Sequence, residues 1–229
     1  MLDRLELLVG DKLEKIKQTT VLVVGLGGVG SYAVESLVRS GVGTLILVDH
    51  DVVDLTNLNR QLMALQSNIG ESKVKVWEKR IQEINPDCQV IGVTQFLTKD
   101  NLSLLDCYSI DYIVDACDTI ETKKELIRYA QSHHISIISS MGTAQKLDPT
   151  KLEITRLDKT SYDPLAKRLR KMLKEEGIST KVTVVSSTEK PIPLSSKTLG
   201  STSFVPSVAG LLCTSYIIRD RIEVKHEND

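Results

Sequence analysis

The sequence of 229 residues predicts an α/β fold: a Rossmann-like, doubly wound, mostly parallel sheet with an antiparallel extension in the C-terminal third. Three observations predict it. Short β-branched runs recur along the chain, amphipathic segments separate them, and a glycine cluster, GLGGVG at 25–30, stands where the first run gives way to the first helix. Strands covered by helices on both faces read as near-continuous apolar runs. The length suits one unit spanning 1–229, with a nucleotide-binding core at 1–142; the antiparallel extension, a basic helix and the C-terminal helix follow at 143–229.

The elements follow in order. Residues 20–24, TVLVV, form the first strand, and a helix anchored by Ala33, Val34, Leu37 and Val38 ends near Gly41. Further strands are expected at 44–49, 89–94, 111–116 and 135–140, with a helix over about 122–134 before the last of these. Beyond Gly142, residues 151–156 and 181–187 alternate in polarity and flank one charged helix. That helix has Asp163 as N-cap, Pro164 at its first position, Leu165, Leu169 and Met172 on one face, and Gly177 after its end. Its other face carries Lys167, Arg168, Arg170, Lys171 and Lys174, which reads either as a solvated surface or as a phosphate-binding one. Residues 188–203 are rich in Ser, Thr, Pro and Gly and are expected as an exposed loop before a buried helix at 208–218. That apolar run is shorter than the roughly 20 residues a bilayer span requires, so no membrane association is expected.

Composition narrows the functional classes. With 29 Lys plus Arg against 30 Asp plus Glu, no global positive field attracts nucleic acid, and a polyanion would need a local basic patch. The four cysteines, Cys88, Cys107, Cys117 and Cys213, form no CxxC pair, which argues against structural zinc and a disulfide framework and favours the cytoplasm. The charged amino terminus has no signal-peptide core.

Gly25, Gly27, Gly28 and Gly30 follow a strand and open a helix, the context in which such glycines bring backbone and helix N-terminus to a phosphate. Asp49 closes the second strand, where a carboxylate can accept from ribose hydroxyls, and Asp51 lies just beyond it. Asn57, Arg60, Gln61 and Lys73 then supply more donor capacity than a dinucleotide needs and suit a triphosphate such as ATP. Arg60 and Lys73 are expected at an exposed crevice, where single cations are also ordinary surface charges. Asp115 and Asp118 end the strand at 111–116. A carboxylate there suits Mg2+, while Asp118 equally suits the cap of the next helix. His133 and His134 end a helix on the outer surface, and Cys117 reads as a packed core residue.

GLGGVG, VDHDVVDLTNLNRQ, Lys73 and DACDT together resemble the adenylating domain of the ubiquitin-activating-enzyme-like (ThiF/MoeB/HesA) superfamily. The resemblance implies ATP and Mg2+ binding, activation of a carboxylate as an acyl adenylate, and a homodimer in which an amino-terminal arginine, here Arg4, reaches the partner's phosphates. It gives Asp49 to the ribose, Asn57, Arg60, Gln61 and Lys73 to the phosphates, and Asp118 to the metal. The chain departs from the sulfur-carrier activators, lacking their CxxC pairs and any cysteine at 188–203. TSYDPLAKRLRKML, VVSSTEKP and GSTSFVPSVAGLLCTSY are instead similar to the tRNA threonylcarbamoyladenosine dehydratase branch, which implies a tRNA substrate. The alternatives are adenylation of a sulfur-carrier or ubiquitin-like protein terminus and, from the glycines and Asp49 alone, an NAD-dependent oxidoreductase.

Overall fold

In the computed structural model, which describes residues 1–193 and 198–223, strand and helix alternate through a seven-stranded sheet. Two short helices, α1 (Asp3–Val9) and α2 (Leu13–Lys17), precede β1 (Thr20–Val24). There follow α3 (Gly28–Arg39), β2 (Thr44–Val48), α4 (Lys73–Ile84), β3 (Gln89–Val93), β4 (Tyr112–Asp115), α5 (Ile120–Ser132) and β5 (Ser136–Ser140). The last third contributes β6 (Leu152–Arg156), α6 (Pro164–Glu175), β7 (Thr183–Ser187) and α7 (Phe204–Arg221). The strand order is β3-β2-β1-β4-β5-β7-β6.

The apolar runs are explained by burial on both faces. On β1, Val21 and Val23 pack with α3, α4 and α7 through Val34, Leu37, Trp77, Ala209 and Cys213. Leu22 and Val24 face the other way, toward Leu126, Ile127, Ala166, Leu169 and Leu173 of α5 and α6. Helix α7 lies close against α3, since a Cβ at Gly210 would stand 2.3 Å from the Val29 carbonyl oxygen.

Three details differ from the sequence reading. Of the two late strands only β6 is antiparallel: it pairs with β7, Ile154 opposite Val185, while β7 runs parallel to β5 with Ser139 opposite Val184. The insertion of β7 between β5 and the edge explains why four of its five residues are buried. The buried stripe of α6 is Ala166, Leu169 and Leu173; Leu165 and Met172 flank it, rotated toward the margins. Helix α5 begins at Ile120, two residues before its expected start, with Thr119 as N-cap. No helix among the described residues is long and apolar enough to cross a membrane.

Candidate nucleotide-binding cleft

β1 pairs in parallel with β2 on one side and β4 on the other, so chain connections leave β1 in opposite directions. At such a switch point the carboxyl ends of the strands open into a crevice. Here the crevice is a cleft of about 1140 Å3. The glycine turn forms its floor. Gly25 has φ +87°, and a Cβ there would meet the Ala116 carbonyl oxygen at 2.7 Å; a Cβ at Gly30 would overlap the Gly25 oxygen at 1.8 Å. These two glycines let the turn and α3 close on the strands. At Gly27 a Cβ would meet nothing nearer than Gln61 Nε2, at 3.7 Å, so the backbone beside the helix N-terminus is open to a ligand.

Asp49 ties the cleft together. Leu26 N–H donates to its Oδ2 at 2.7 Å and Asp51 N–H to its Oδ1 at 2.8 Å, coupling the glycine turn to the loop after β2. Each oxygen keeps a further lone pair for a ligand hydroxyl. Asn57 is also partly spent on local structure: Asp54 N–H donates to its Oδ1 in a capping box over the Asp54–Asn57 turn. Gln61, 6% exposed, lines the cleft with its Oε1 buried and unpartnered. Such an orphan costs free energy until a ligand or water satisfies it.

Arg60 and Lys73 both line the cleft, but their surroundings differ. Arg60 is half-buried and donates to the Thr56 carbonyl at 2.7 Å and to Asn59 Oδ1 at 2.9 Å. Lys73 is 4% exposed, which corrects the expectation of an exposed position. It is the first residue of α4, and its stem runs inward while Nζ meets Asp51 Oδ2 at 2.9 Å. The aliphatic stem is thereby buried and the charge delivered at the cleft.

Asp118 is exposed at the mouth and takes a hydrogen bond from Thr119 Oγ1 at 3.4 Å. It does not cap α5, and among the described residues no cation pairs with it. A free carboxylate at the edge of such a cleft is the kind of ligand that a hard divalent cation takes. Asp49, His50 and Asp51 also gather within 4.8 Å. The oxygens of Asp51 are already engaged, however, by Lys73 and by His50 Nε2 at 3.2 Å.

Asp115, by contrast, is buried away from metal duty. Lys123 Nζ stands 3.1 Å from its Oδ1, and Ser139 Oγ donates to its Oδ2 at 2.5 Å. Lys123 also donates to the Ser140 carbonyl at 2.8 Å, so the pair pins β4, β5 and α5 beneath the cleft. Burial opposes the Lys123 charge, but the Asp115 carboxylate outweighs it and holds the pKa above its ordinary value. Cys117 packs against the core on one side, as expected, and lines the cleft wall on the other, donating to Asp115 Oδ1 at 3.0 Å. Burial, and then the Asp115 charge, push its thiol well above the ordinary range, which disfavours the thiolate that a nucleophile needs.

Other expected residues lie elsewhere. Arg4 is exposed on α1. Its neighbour Leu2 packs where a Gly41 Cβ would be, beyond the end of α3 remote from the glycine turn, and Arg4 does not line its own cleft. His133 stacks on Tyr129 at the far end of α5. On α6, Lys167, Arg168, Lys171 and Lys174 are exposed, whereas Arg170 turns back to donate to the Leu157 and Thr160 carbonyls. Sequence reasoning missed Gln95–Leu97, Gly142–Ala144 and Thr198–Ser201, which also line the cleft. The first two follow β3 and β5 at the same sheet edge, a signal available in the strand pattern. Thr198–Ser201 come from the stretch read as an exposed loop. Gln145 N–H donates to the Gly200 carbonyl at 2.9 Å and Asn59 Nδ2 to the Ser201 carbonyl at 3.1 Å, drawing that stretch over the cleft.

A glycine turn at the switch point of a mostly parallel sheet, with cations and a free carboxylate around it, defines a doubly wound α/β protein with an open, polar cleft at the carboxyl ends of its strands. The chain belongs to the ThiF family, whose model matches residues 2–219. It is similar to the tRNA threonylcarbamoyladenosine dehydratase of Bacillus subtilis (strain 168), being 43% identical over an alignment 247 positions long, gaps included, that covers 99% of this chain and 97% of that protein. Its fold matches crystal structures of the E. coli tRNA N6-threonylcarbamoyladenosine dehydratase. The AMP complex gives a TM-score of 0.91 at 35% identity and the ATP complex 0.90 at 34%, each covering 95% of this chain and 92% of the other.

Proposed function

We propose that the protein is an ATP-dependent tRNA-modifying enzyme that cyclises N6-threonylcarbamoyladenosine beside the anticodon. The observation that carries the reading is the composition of the cleft. Gly27, Gln61, Arg60 and Lys73 line the same cavity as Asp49 and Asp118, in a chain 43% identical to a dehydratase of that name over nearly its whole length.

The reaction balances without a protein nucleophile. A carboxylate oxygen of the threonyl group attacks the α-phosphorus of the co-substrate ATP, and pyrophosphate leaves. An atom of the same side chain then closes on the activated carbonyl and expels AMP, which carries away the carboxylate oxygen. Ring closure within one side chain proceeds at very high effective concentration. The chain's part is to hold and neutralise. The turn at Gly27 and the N-terminus of α3 receive phosphate, Arg60 and Lys73 offset charge on the leaving pyrophosphate, and Asp49 accepts from the ribose. Asp118 would hold Mg2+, which supplies Lewis-acid neutralisation of the phosphate oxygens when bound.

The working form is a homodimer in which Arg4 serves the partner's cleft. This is supported by its distance from its own cleft and by the neighbouring Leu7 and Leu8, 86% and 82% exposed on a helix with no buried residue. Lys167, Arg168, Lys171 and Lys174 would meet tRNA phosphates as positioning contacts. The test is incubation with ATP, Mg2+ and tRNA bearing the linear group, followed by nucleoside mass spectrometry. Loss of one water per modified adenosine, only with ATP, is expected; an unchanged mass refutes the reading.

A further inference from the structure

Tyr162 is a large aromatic residue left 55% exposed on the turn that leads into α6. It precedes Asp163, which caps α6 through Ala166 N–H at 3.0 Å and also accepts from Gly142 N–H at 3.0 Å. Gly142 and Leu165, on either side of that joint, both line the cleft. The Tyr162 backbone is left-handed, with φ 55°, a conformation that bulky residues avoid. Sterically a glycine would suit the position better, yet a ring is displayed there. Lys190 Nζ stands 5.1 Å from the ring centroid in a cation–π arrangement, and no second ring stacks on it among the described residues. Immediately beyond lie the exposed cations Lys167, Arg168, Lys171 and Lys174.

A displayed aromatic plane, a cation over it and a row of cations alongside is the arrangement by which unpaired nucleotides are held: bases stack on the ring and phosphates meet the charges. We infer that Tyr162, braced by Lys190, forms a stacking subsite for an unpaired base flanking the adenosine whose side chain enters the cleft. The inference rests on the proposed tRNA substrate and adds where the loop around the modified base is gripped. In this arrangement α6 receives the backbone on the far side of the stacked base, and the joint at Asp163 sets the ring at a fixed offset from the cleft.

The subsite is tested by steady-state kinetics with modified tRNA, alongside ATP affinity, size-exclusion chromatography and thermal unfolding. Tyr162→Ala and Tyr162→Gly are expected to raise KM for tRNA roughly tenfold or more, with kcat and ATP affinity within about twofold of wild type; Tyr162→Phe keeps the wild-type KM. Tyr162→Gly separates stacking from folding, because it relieves the left-handed backbone: its Tm should equal or exceed that of wild type while its KM rises with that of Tyr162→Ala. A KM for tRNA unchanged in both ring-less variants overturns the subsite, as does a loss shared by Tyr162→Phe or accompanied by a change of oligomeric state. A wild-type protein that acts on modified tRNA while Tyr162→Ala is unaffected refutes the subsite alone. A wild type inert toward modified tRNA overturns both the subsite and the function on which it rests.

Discussion

Lys73 enters the cleft with its charge already matched by Asp51, so in the proposed role the triphosphate must compete for it. Asp51 is half-exposed and can return to water when the lysine turns to phosphate. Lys73→Ala therefore removes a charge-assisted contact that matters while negative charge moves onto pyrophosphate. It should lower kcat by roughly 100-fold, with stability falling by about 1–2 kcal/mol, a loss that comes from the buried stem and not from the solvated Asp51 carboxylate it leaves behind. Turnover assays beside urea unfolding check both halves. The place of Lys73 in the cleft was legible in sequence because it follows a dense polar stretch after the second strand; its burial was not, since nothing in a lone lysine reveals that its stem packs inward. Lys123 was wholly illegible. A lysine on an amphipathic helix reads as solvent-facing, and only the assembled sheet shows that it answers a buried aspartate at the end of β4.

At the scale of elements, α3 and α4 are joined by Glu35, which accepts from Arg80 Nε at 2.7 Å and Nη2 at 2.9 Å and from Arg39 Nε at 2.8 Å. Burial alone would raise the Glu35 pKa, but the two guanidiniums outweigh it and hold it below its ordinary value of 4.5. A carboxylate depressed in the folded state contributes stability at pH values above 4.5 and loses it as pH falls through the folded value. Glu35→Gln should cost about 1 kcal/mol at neutral pH for this part-exposed pair. It should also flatten the decline in stability below pH 4.5, as followed by denaturant titration across pH. The parallel strands were legible because burial on both faces leaves continuous apolar runs. The direction of β7 was not, because a period of two records which faces are covered and is silent on which neighbour lies alongside. The stripe of α6 was misplaced by a residue for a related reason: Leu165 is apolar because it borders the cleft, a use that periodicity cannot separate from the core.

The whole molecule presents a cleft at the carboxyl ends of its strands and, on α1, two bare leucines beside an arginine that does not line that cleft. If Arg4 acts across a two-fold interface, damage to the two kinds of residue falls on different sites of a mixed dimer. Arg4→Ala and Lys73→Ala proteins, each nearly inactive alone, should on subunit exchange regain roughly a quarter of wild-type activity, since half the dimers then hold one intact composite site. A mixture no more active than its parents excludes action in trans. Family membership, the sheet and the cleft are established by the residues and their relatives; chemistry on a carboxylate is the central claim and follows the fate of one oxygen atom. Modified tRNA whose threonyl carboxylate carries heavy oxygen should, on reaction with unlabelled ATP, yield AMP bearing that oxygen. Heavy oxygen found in inorganic phosphate, or retained in full by the nucleoside while ATP is consumed, would contradict adenylation.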